Sequence, residues 1–158
     1  MNTLTDPQLL REYVVNRSDS ALTTLVHRHF DLVHSAARRS LGGDAALAQD
    51  VAQEVFRTLI LKAPELMDRS SLAGWLHAVT HAEAVNTVRA EDRRRAREHE
   101  AAAMNLIHAH PSNDPWQHVA PHLDAVLMEL PEHGREAVIQ YFFHHKSIPA
   151  IAAAEGIS

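Results

Sequence analysis

The chain has 158 residues, with 20 acidic residues against 15 Lys and Arg, so its formal net charge is −5 when His is neutral. This length suits one ordinary domain or two small ones, and the lack of cysteine excludes disulfides, thiol nucleophiles and cysteine-based zinc sites. No apolar run reaches the roughly 18 residues of a membrane span and no secretory signal is apparent, so we expect a cytoplasmic protein without membrane insertion.

Four amphipathic helices are predicted in the N-terminal part of the chain, where apolar residues recur at three- and four-residue steps. Residues that can cap a helix precede them, in chain order Asp6 (followed by Pro7), Ser18, Asp44, and Ser70 or Ser71. Gly42 and Gly43 are expected to end the second helix and Pro64 the third, which leaves residues 63–71 as a loop. The fourth helix is expected to start near Leu72 and to run past Arg97.

Turn residues at 110–113 (HPSN) predict a mobile linker over residues 99–113, between a domain at 1–98 and a second one at 114–158. The second domain restarts at Asp114-Pro115 with three short helices, the next beginning at Pro131 and the last capped by Ser147. Their predicted inward residues are Leu123, Val126, Leu127 and Leu130 on the first, and Ala137, Val138, Tyr141 and Phe142 on the second. Since no segment alternates with period two, the predicted fold class is all-α.

Three segments of the chain carry recognisable patterns: DVAQEVFRTL at residues 50–59, AGWLHAVT at residues 73–80, and LPEHGREA at residues 130–137 followed by IPAIAAAEGIS at residues 148–158. Together they resemble extracytoplasmic-function (group IV) sigma factors, the promoter-recognition subunits of bacterial RNA polymerase. DVAQEVFRTL at residues 50–59 is similar to the region-two helix that docks on the polymerase. AGWLHAVT at residues 73–80, continuing through Asn86 and Arg89 to Arg95, resembles the helix that reads the promoter. LPEHGREA at residues 130–137 and IPAIAAAEGIS at residues 148–158 resemble the opening of region four.

The resemblance implies a four-helix region-two domain linked to an incomplete helix-turn-helix region-four domain, because Ser158 stands where the recognition helix would begin. It implies a transcription initiation factor that brings core RNA polymerase to promoters and helps to melt the minus-ten element. Such a protein is not an enzyme, so no cofactor and no small-molecule substrate are expected. The implied partners are core RNA polymerase, promoter DNA and an anti-sigma factor.

Four polar residues in the first segment, Asp50, Gln53, Glu54 and Arg57, follow each other at steps of three and four and therefore share one side of a helix. Val51 and Val55 point elsewhere, toward a core. The resemblance implies that the polar side docks on the clamp helices of the largest polymerase subunit. The alternative is a solvated helix face with charge pairs.

A basic stripe follows, in which Arg89, Arg93 and Arg97 recur every four residues and can contact DNA phosphates. The alternative is a solvated helix end. In the resembling family, the loop before this helix captures a base flipped out of the minus-ten element. The full set of predicted DNA-binding residues is Leu66, Met67, Asp68, Arg69, Ser70, His77, His81, Asn86, Arg89, Arg93, Arg94 and Arg97. Trp75 is expected to be a buried anchor.

Two other classes of protein compete with this interpretation. A helix-turn-helix regulator of another kind would bind DNA without polymerase and would not need the docking side. The 13 His suggest a metal-binding helical protein, because His77/His81 and His118/His122 have the spacing of helical ligand pairs. However, no HExxH motif occurs and no carboxylate has an obvious place as a third ligand, so no metal site is expected.

Overall fold

The computed structural model describes residues 3–101 and 114–156, and these residues form seven α-helices and no strand. In chain order the helices are α1 (Asp6–Asn16), α2 (Asp19–Ser40), α3 (Ala45–Leu66), α4 (Ala73–Ala101), α5 (Pro115–Glu129), α6 (Glu132–Phe142) and α7 (Ile148–Glu155). The predicted all-α fold is confirmed. None of the helices described is both long and apolar enough to cross a membrane.

Local capping explains where most of these helices begin. The side chains of four predicted caps each accept a hydrogen bond from a backbone N–H in the first turn: Ser18 from Ala21, Asp44 from Leu47, Asp114 from Trp116 and Ser147 from Ala150. At α1 the predicted cap is wrong by one residue. Thr5 is the N-cap, and its backbone N–H donates to Gln8 Oε1 at 2.8 Å.

The third helix does not stop at Pro64 as predicted, but continues to Leu66. Pro64 removes one backbone N–H, the one that would have bonded to the carbonyl of Ile60 one turn earlier. Both residues are exposed, so water can hydrate that carbonyl. The neighbouring Ala63 and Leu66 are buried in the core and hold the last turn in place. The connection to α4 therefore shortens to residues 67–72, which we call the α3–α4 loop.

Helices α1 to α4 pack around one core of Leu, Val and Ala, with α2 in contact with the other three. Side chains such as Leu10, Leu25, Val55, Leu59 and Leu76 are completely buried there. Truncating a buried Leu to Ala costs about 2–5 kcal/mol, so this core accounts for the stability of the N-terminal part.

Asp6 ties α1 to α2 and fixes the end of the α3–α4 loop. Its Oδ1 accepts a hydrogen bond from Arg28 Nη1 at 2.7 Å, and its Oδ2 accepts one from the Leu72 N–H at 3.1 Å and lies 3.0 Å from His29 Nε2. Burial raises the pKa of Asp6, but the contacts with His29, Arg28 and Leu72 outweigh it and hold the pKa well below its ordinary value. The carboxylate therefore stays charged and anchors the start of α4.

The three C-terminal helices lie against the N-terminal ones. Helix α5 contacts α2 and α4, α6 contacts α4, and α7 contacts α6. Residues 99–101 of the predicted linker belong to α4, whereas residues 102–113, including the predicted turn, lie outside the described residues.

The predicted inward faces of α5 and α6 are only partly right: Leu127 is buried as predicted, whereas Leu123, Ala137 and Val138 are half-buried. Tyr141 and Phe142 are 45% and 65% exposed, and Val126 and Leu130 also face outward. The other buried positions, which were not predicted, are Ala120 and Asp124 on α5, and Glu136, Ile139 and Gln140 on α6. The reason is that α2 and α4 offer hydrogen-bond donors at this contact, and these donors pair with the polar sides of α5 and α6.

Candidate functional site

The outer side of α3 carries the four residues predicted to dock on a partner. Asp50, Gln53, Glu54 and Arg57 are all exposed, and their three- and four-residue spacing places them on one side of the helix. Val51, Val55 and Phe56 are buried in the core on the other side. The acidic face is therefore presented by a helix whose position the core fixes.

This face makes only weak contacts of its own. Glu54 Oε1 lies 3.6 Å from Arg57 Nη1, and both side chains are more than half exposed. An ion pair of this kind typically contributes 0–1 kcal/mol, so both groups can exchange it for contacts with a partner.

Two apolar residues, Ile60 and Leu61, extend the same face, and we did not predict them from the sequence. They follow Gln53 and Glu54 by two helical turns, and they are 41% and 72% exposed. The signal was present in the run Leu59-Ile60-Leu61, in which only Leu59 fits the buried period. We call the six exposed residues, Asp50, Gln53, Glu54, Arg57, Ile60 and Leu61, the α3 outer face.

The predicted base-capturing segment is only partly a loop. Leu66 is the last residue of α3 and is buried in the core, so its predicted role in contacting a base is wrong for this structure. Met67 packs against the same core, while Asp68 and Ser70 are exposed. Arg69 Nη1 donates to Glu132 Oε1 at 2.6 Å, which joins the α3–α4 loop to the start of α6.

The basic residues of α4 are accessible. Asn86, Arg89, Arg93, Arg94 and Arg97 are exposed along the second half of the helix. Arg94 Nη2 donates to Glu91 Oε2 at 2.8 Å, one turn away on the same helix. The structure thus leaves this stripe open to a large anionic partner.

The two histidines predicted to contact DNA face α5 instead. His77 is completely buried, and its Nε2 lies 2.8 Å from Asp124 Oδ1. Asp124 also accepts two hydrogen bonds from Arg39, at 3.1 Å from Nε and 2.9 Å from Nη2. His81 lies one turn along α4, half-buried, and burial lowers its pKa despite the nearby Asp124 charge.

Burial of Asp124 would by itself raise the pKa of that carboxyl. The hydrogen bonds from His77 and Arg39, with the Arg39 charge, outweigh burial and hold the pKa below its ordinary value. The carboxylate is therefore ionised between α5, α2 and α4.

The histidine pairs do not build a metal site within residues 3–101 and 114–156. No group of three or more His, Asp or Glu side chains there is placed to hold a metal ion. His118 and His122 are exposed on α5.

Residues 25–94 match the family model described as Sigma-70 region 2. This part of the chain is similar to Sigma-70 region 2 domains. The matched segment runs from α2 into α4 and contains the α3 outer face, the α3–α4 loop and the first arginines of the basic stripe. No curated protein matches the chain.

The region 2 domain supports a sigma factor family and a role in transcription initiation. Its family is one of transcription factor domains and not of enzymes, and it implies interaction with core RNA polymerase and promoter DNA. Helices α5 to α7 lie outside the matched segment, so their resemblance to region four stays a prediction.

Proposed function

We propose that this protein is a sigma factor of the extracytoplasmic-function type, which binds core RNA polymerase through the α3 outer face and directs it to promoters. The strongest support is the common exposure of Asp50, Gln53 and Glu54 on a helix of the region 2 domain whose opposite side is buried. A cytoplasmic location and an anti-sigma factor as a further partner belong to the same proposal.

The chemistry of the α3 outer face suits a basic helical partner such as the clamp helices of the polymerase. Asp50 and Glu54 supply negative charge, which speeds encounter with a positive surface and sets orientation. Leu61 supplies exposed apolar area beside these charges, and a buried apolar anchor ringed by polar groups is the usual source of affinity in protein interfaces.

Promoter DNA meets the domain at α4 and the α3–α4 loop. Arg89, Arg93 and Arg97 neutralise phosphates and orient the duplex without reading sequence. The loop takes an unstacked base of the minus-ten element, with Asp68, Arg69 and Ser70 offering hydrogen bonds to base edges. Extruding that base costs a few kcal/mol of stacking free energy, which the loop contacts must return.

Helices α6 and α7 are, in this proposal, the first part of a region-four helix-turn-helix unit. Their support is the resemblance of residues 130–137 and 148–158 and the Gly156 turn, where φ is 67°. Only glycine adopts that left-handed conformation readily, so the chain can change direction there.

Binding to core RNA polymerase tests the proposed function. The double variant Asp50→Lys with Glu54→Lys should lose co-purification with core polymerase while its helical circular dichroism is unchanged. The matched control is Asp31→Lys with Glu129→Lys, which makes the same charge change at exposed positions on α2 and α5, away from the α3 outer face. Unchanged co-purification of the first variant would contradict the proposal. Tight sequence-specific DNA binding without polymerase would favour a regulator of another kind.

A further inference from the structure

A cavity of about 430 Å³ lies where four segments of the chain meet. Its walls come from residues 3–6 around the start of α1, from α2, from the end of the α3–α4 loop and from the connection between α6 and α7. Pockets that hold small molecules typically measure roughly 300–1,000 Å³, so this cavity is large enough for one. Of the residues predicted to contact polymerase or DNA, only Ser70 lines it.

The fixed charges on the cavity wall favour an anion. Arg28 and Lys146 are cationic, whereas Asp6 is the one carboxylate among the described residues that line the cavity. The Asp6 carboxylate already accepts hydrogen bonds from Arg28 and the Leu72 N–H and lies 3.0 Å from His29 Nε2. Its charge is therefore balanced within the fold, and the charge of Lys146 is left over.

Both cations keep donors that the fold does not use. Arg28 donates from Nη1 to Asp6 Oδ1 and from Nη2 to the Leu4 carbonyl, which are two of its five N–H groups. Lys146 Nζ donates to Gln140 Oε1 at 3.1 Å, which is one of three N–H groups. The remaining donors can bind an anion without breaking these contacts.

Two histidines on the cavity wall have ring nitrogens that no other described residue contacts. His29 is 2% exposed, and its Nδ1 is buried without a hydrogen-bond partner in the described part of the chain. The same holds for His144 Nε2, and the two rings meet edge to face with their centres 5.1 Å apart. Because buried polar atoms are normally hydrogen-bonded, these nitrogens indicate that the cavity is built for a polar ligand.

The donors around the cavity suit a phosphate group better than a carboxylate. A phosphate monoester offers three terminal oxygens and up to two charges, whereas a carboxylate offers two oxygens and one charge. Guanidinium, ammonium and hydroxyl groups are common phosphate partners, and the hydroxyls of Ser70 and Ser71 stand beside the two cations. Leu4 and Ala154 add apolar wall, and the volume exceeds that of a phosphate group, which leaves room for a small organic part.

We propose that this cavity binds a small phosphate monoester, whose phosphate group lies between Arg28 and Lys146 and accepts hydrogen bonds from the α3–α4 loop. The ligand is bound and not chemically changed. Because it contacts the α3–α4 loop and the connection between α6 and α7 at once, its binding holds these two segments together. The proposal stands on the cavity and its donors, and it does not depend on polymerase or DNA binding.

Calorimetric titration of the full chain in chloride buffer tests the site with glycerol 3-phosphate, inorganic phosphate and acetate. One saturable site for glycerol 3-phosphate is expected, with weaker binding of inorganic phosphate and none of acetate. The ligand should also raise the thermal midpoint, because it binds the folded state only. Absence of saturable binding of glycerol 3-phosphate at millimolar concentration overturns the proposal. Equal or tighter binding of either other anion overturns the assignment to a phosphate monoester.

Two pairs of variants locate the site. Lys146→Gln should weaken glycerol 3-phosphate binding about tenfold, as expected for loss of a charged hydrogen bond. Lys62→Gln makes the same change at an exposed position of α3 outside the cavity and should bind normally. Ala154→Phe narrows the cavity without changing charge and should also weaken binding, whereas Ala153→Phe, next to it on α7 and not on the cavity wall, should not.

Circular dichroism and urea unfolding check that all four variants are folded. Equal affinities within each pair would overturn the placement of the ligand in this cavity. Nuclear magnetic resonance of the imidazole nitrogens gives an independent readout that needs no substitution. Glycerol 3-phosphate should shift the ring signals of His29 and His144 and leave those of His118, which is exposed on α5, unchanged. Unshifted His29 and His144 signals at saturating ligand would contradict the proposal.

Discussion

His77 and Asp124 face each other across the contact between α4 and α5, with His77 Nε2 2.8 Å from Asp124 Oδ1 and both side chains buried. Arg39 of α2 completes the group from the other side. A histidine that the sequence places on a DNA-reading helix is thus held by a carboxylate of the same chain. This relationship connects the fold of the C-terminal helices to the accessibility of the promoter-reading surface.

Asp124→Asn should weaken the packing of α5 on α2 and α4. The amide keeps the shape of the side chain but removes the charge that Arg39 and His77 face, and disrupting a buried pair costs about 3–5 kcal/mol. We expect a loss of roughly 2–4 kcal/mol in urea unfolding, because the neutral amide keeps part of the hydrogen bonding. Asp31→Asn, at an exposed position of α2, should change the unfolding free energy by less than about 0.5 kcal/mol. Equal stabilities of the two variants would refute the buried pairing.

Acidification should destabilise the packed structure between pH 6.5 and about 4. Burial, and next the His29 charge, lower the pKa of His144 from its ordinary value of 6.5 to about 4, with Lys146 and Arg28 acting in the same direction and Asp6 opposing them. The unfolded chain therefore binds a proton in this range that the folded chain does not, so stability is full above about pH 6.5 and falls below it. The carboxylates of Asp6 and Asp124, whose pKa values lie below the ordinary value of 3.8, add to this loss mainly at the acidic end of the window and below it.

His144→Gln should reduce this pH dependence. Urea unfolding at pH 7.5, 6 and 5 should show a smaller loss of stability on acidification than in the unmodified protein. His118→Gln, at an exposed position of α5, is the control and should keep the full loss. An identical pH profile for His144→Gln and the unmodified protein would contradict the assignment.

Leu61→Ala should weaken polymerase binding, whereas Leu59→Ala should lower folding stability, although the two positions are only two residues apart. Leu61 is exposed on the α3 outer face, so its truncation should weaken polymerase binding about tenfold or more, as expected for an interface anchor, and leave stability nearly unchanged. Leu59 is completely buried, so its truncation should cost about 2–5 kcal/mol of folding stability. Competition binding to core polymerase measures the affinity of both variants, and urea unfolding measures their stability. Normal polymerase affinity of Leu61→Ala would exclude Leu61 from the docking surface.

Arg93→Ala should weaken DNA binding without changing sequence preference. Removing one phosphate contact lowers the slope of log K against log salt by about 0.7–0.9. Arg11→Ala, at an exposed position of α1, should leave the slope unchanged. Fluorescence anisotropy titrations at four salt concentrations measure the slopes. A slope unchanged by Arg93→Ala would remove Arg93 from the DNA surface.

Local signals in the sequence were sufficient for most helix starts and for the four polar residues of the α3 outer face, but not for Ile60 and Leu61. Ser18, Asp44 and Ser147 cap the helices they precede because capping involves only the next few residues. The polar part of this face was predictable because a helical period separates Asp50 and Glu54 from the buried Val51 and Val55.

Features that depend on distant partners were not predictable. Glu136 is buried and Phe142 is exposed because Glu136 accepts a hydrogen bond from the Gly74 N–H, which lies more than sixty residues away in the chain. The burial of Leu66 likewise depends on the core, because packing there lets α3 continue past Pro64. Similarly, Asp6 was predicted as a cap but serves as a tertiary anchor because Arg28, His29 and Leu72 surround it.

Photo-crosslinking from the α3 outer face tests the central claim most directly. A benzophenone attached to Gln53→Cys, the only thiol in the chain, should crosslink to the largest subunit of core RNA polymerase, and the same reagent at Asp31→Cys on α2 should not. A crosslink from position 31 and none from position 53 would contradict the account.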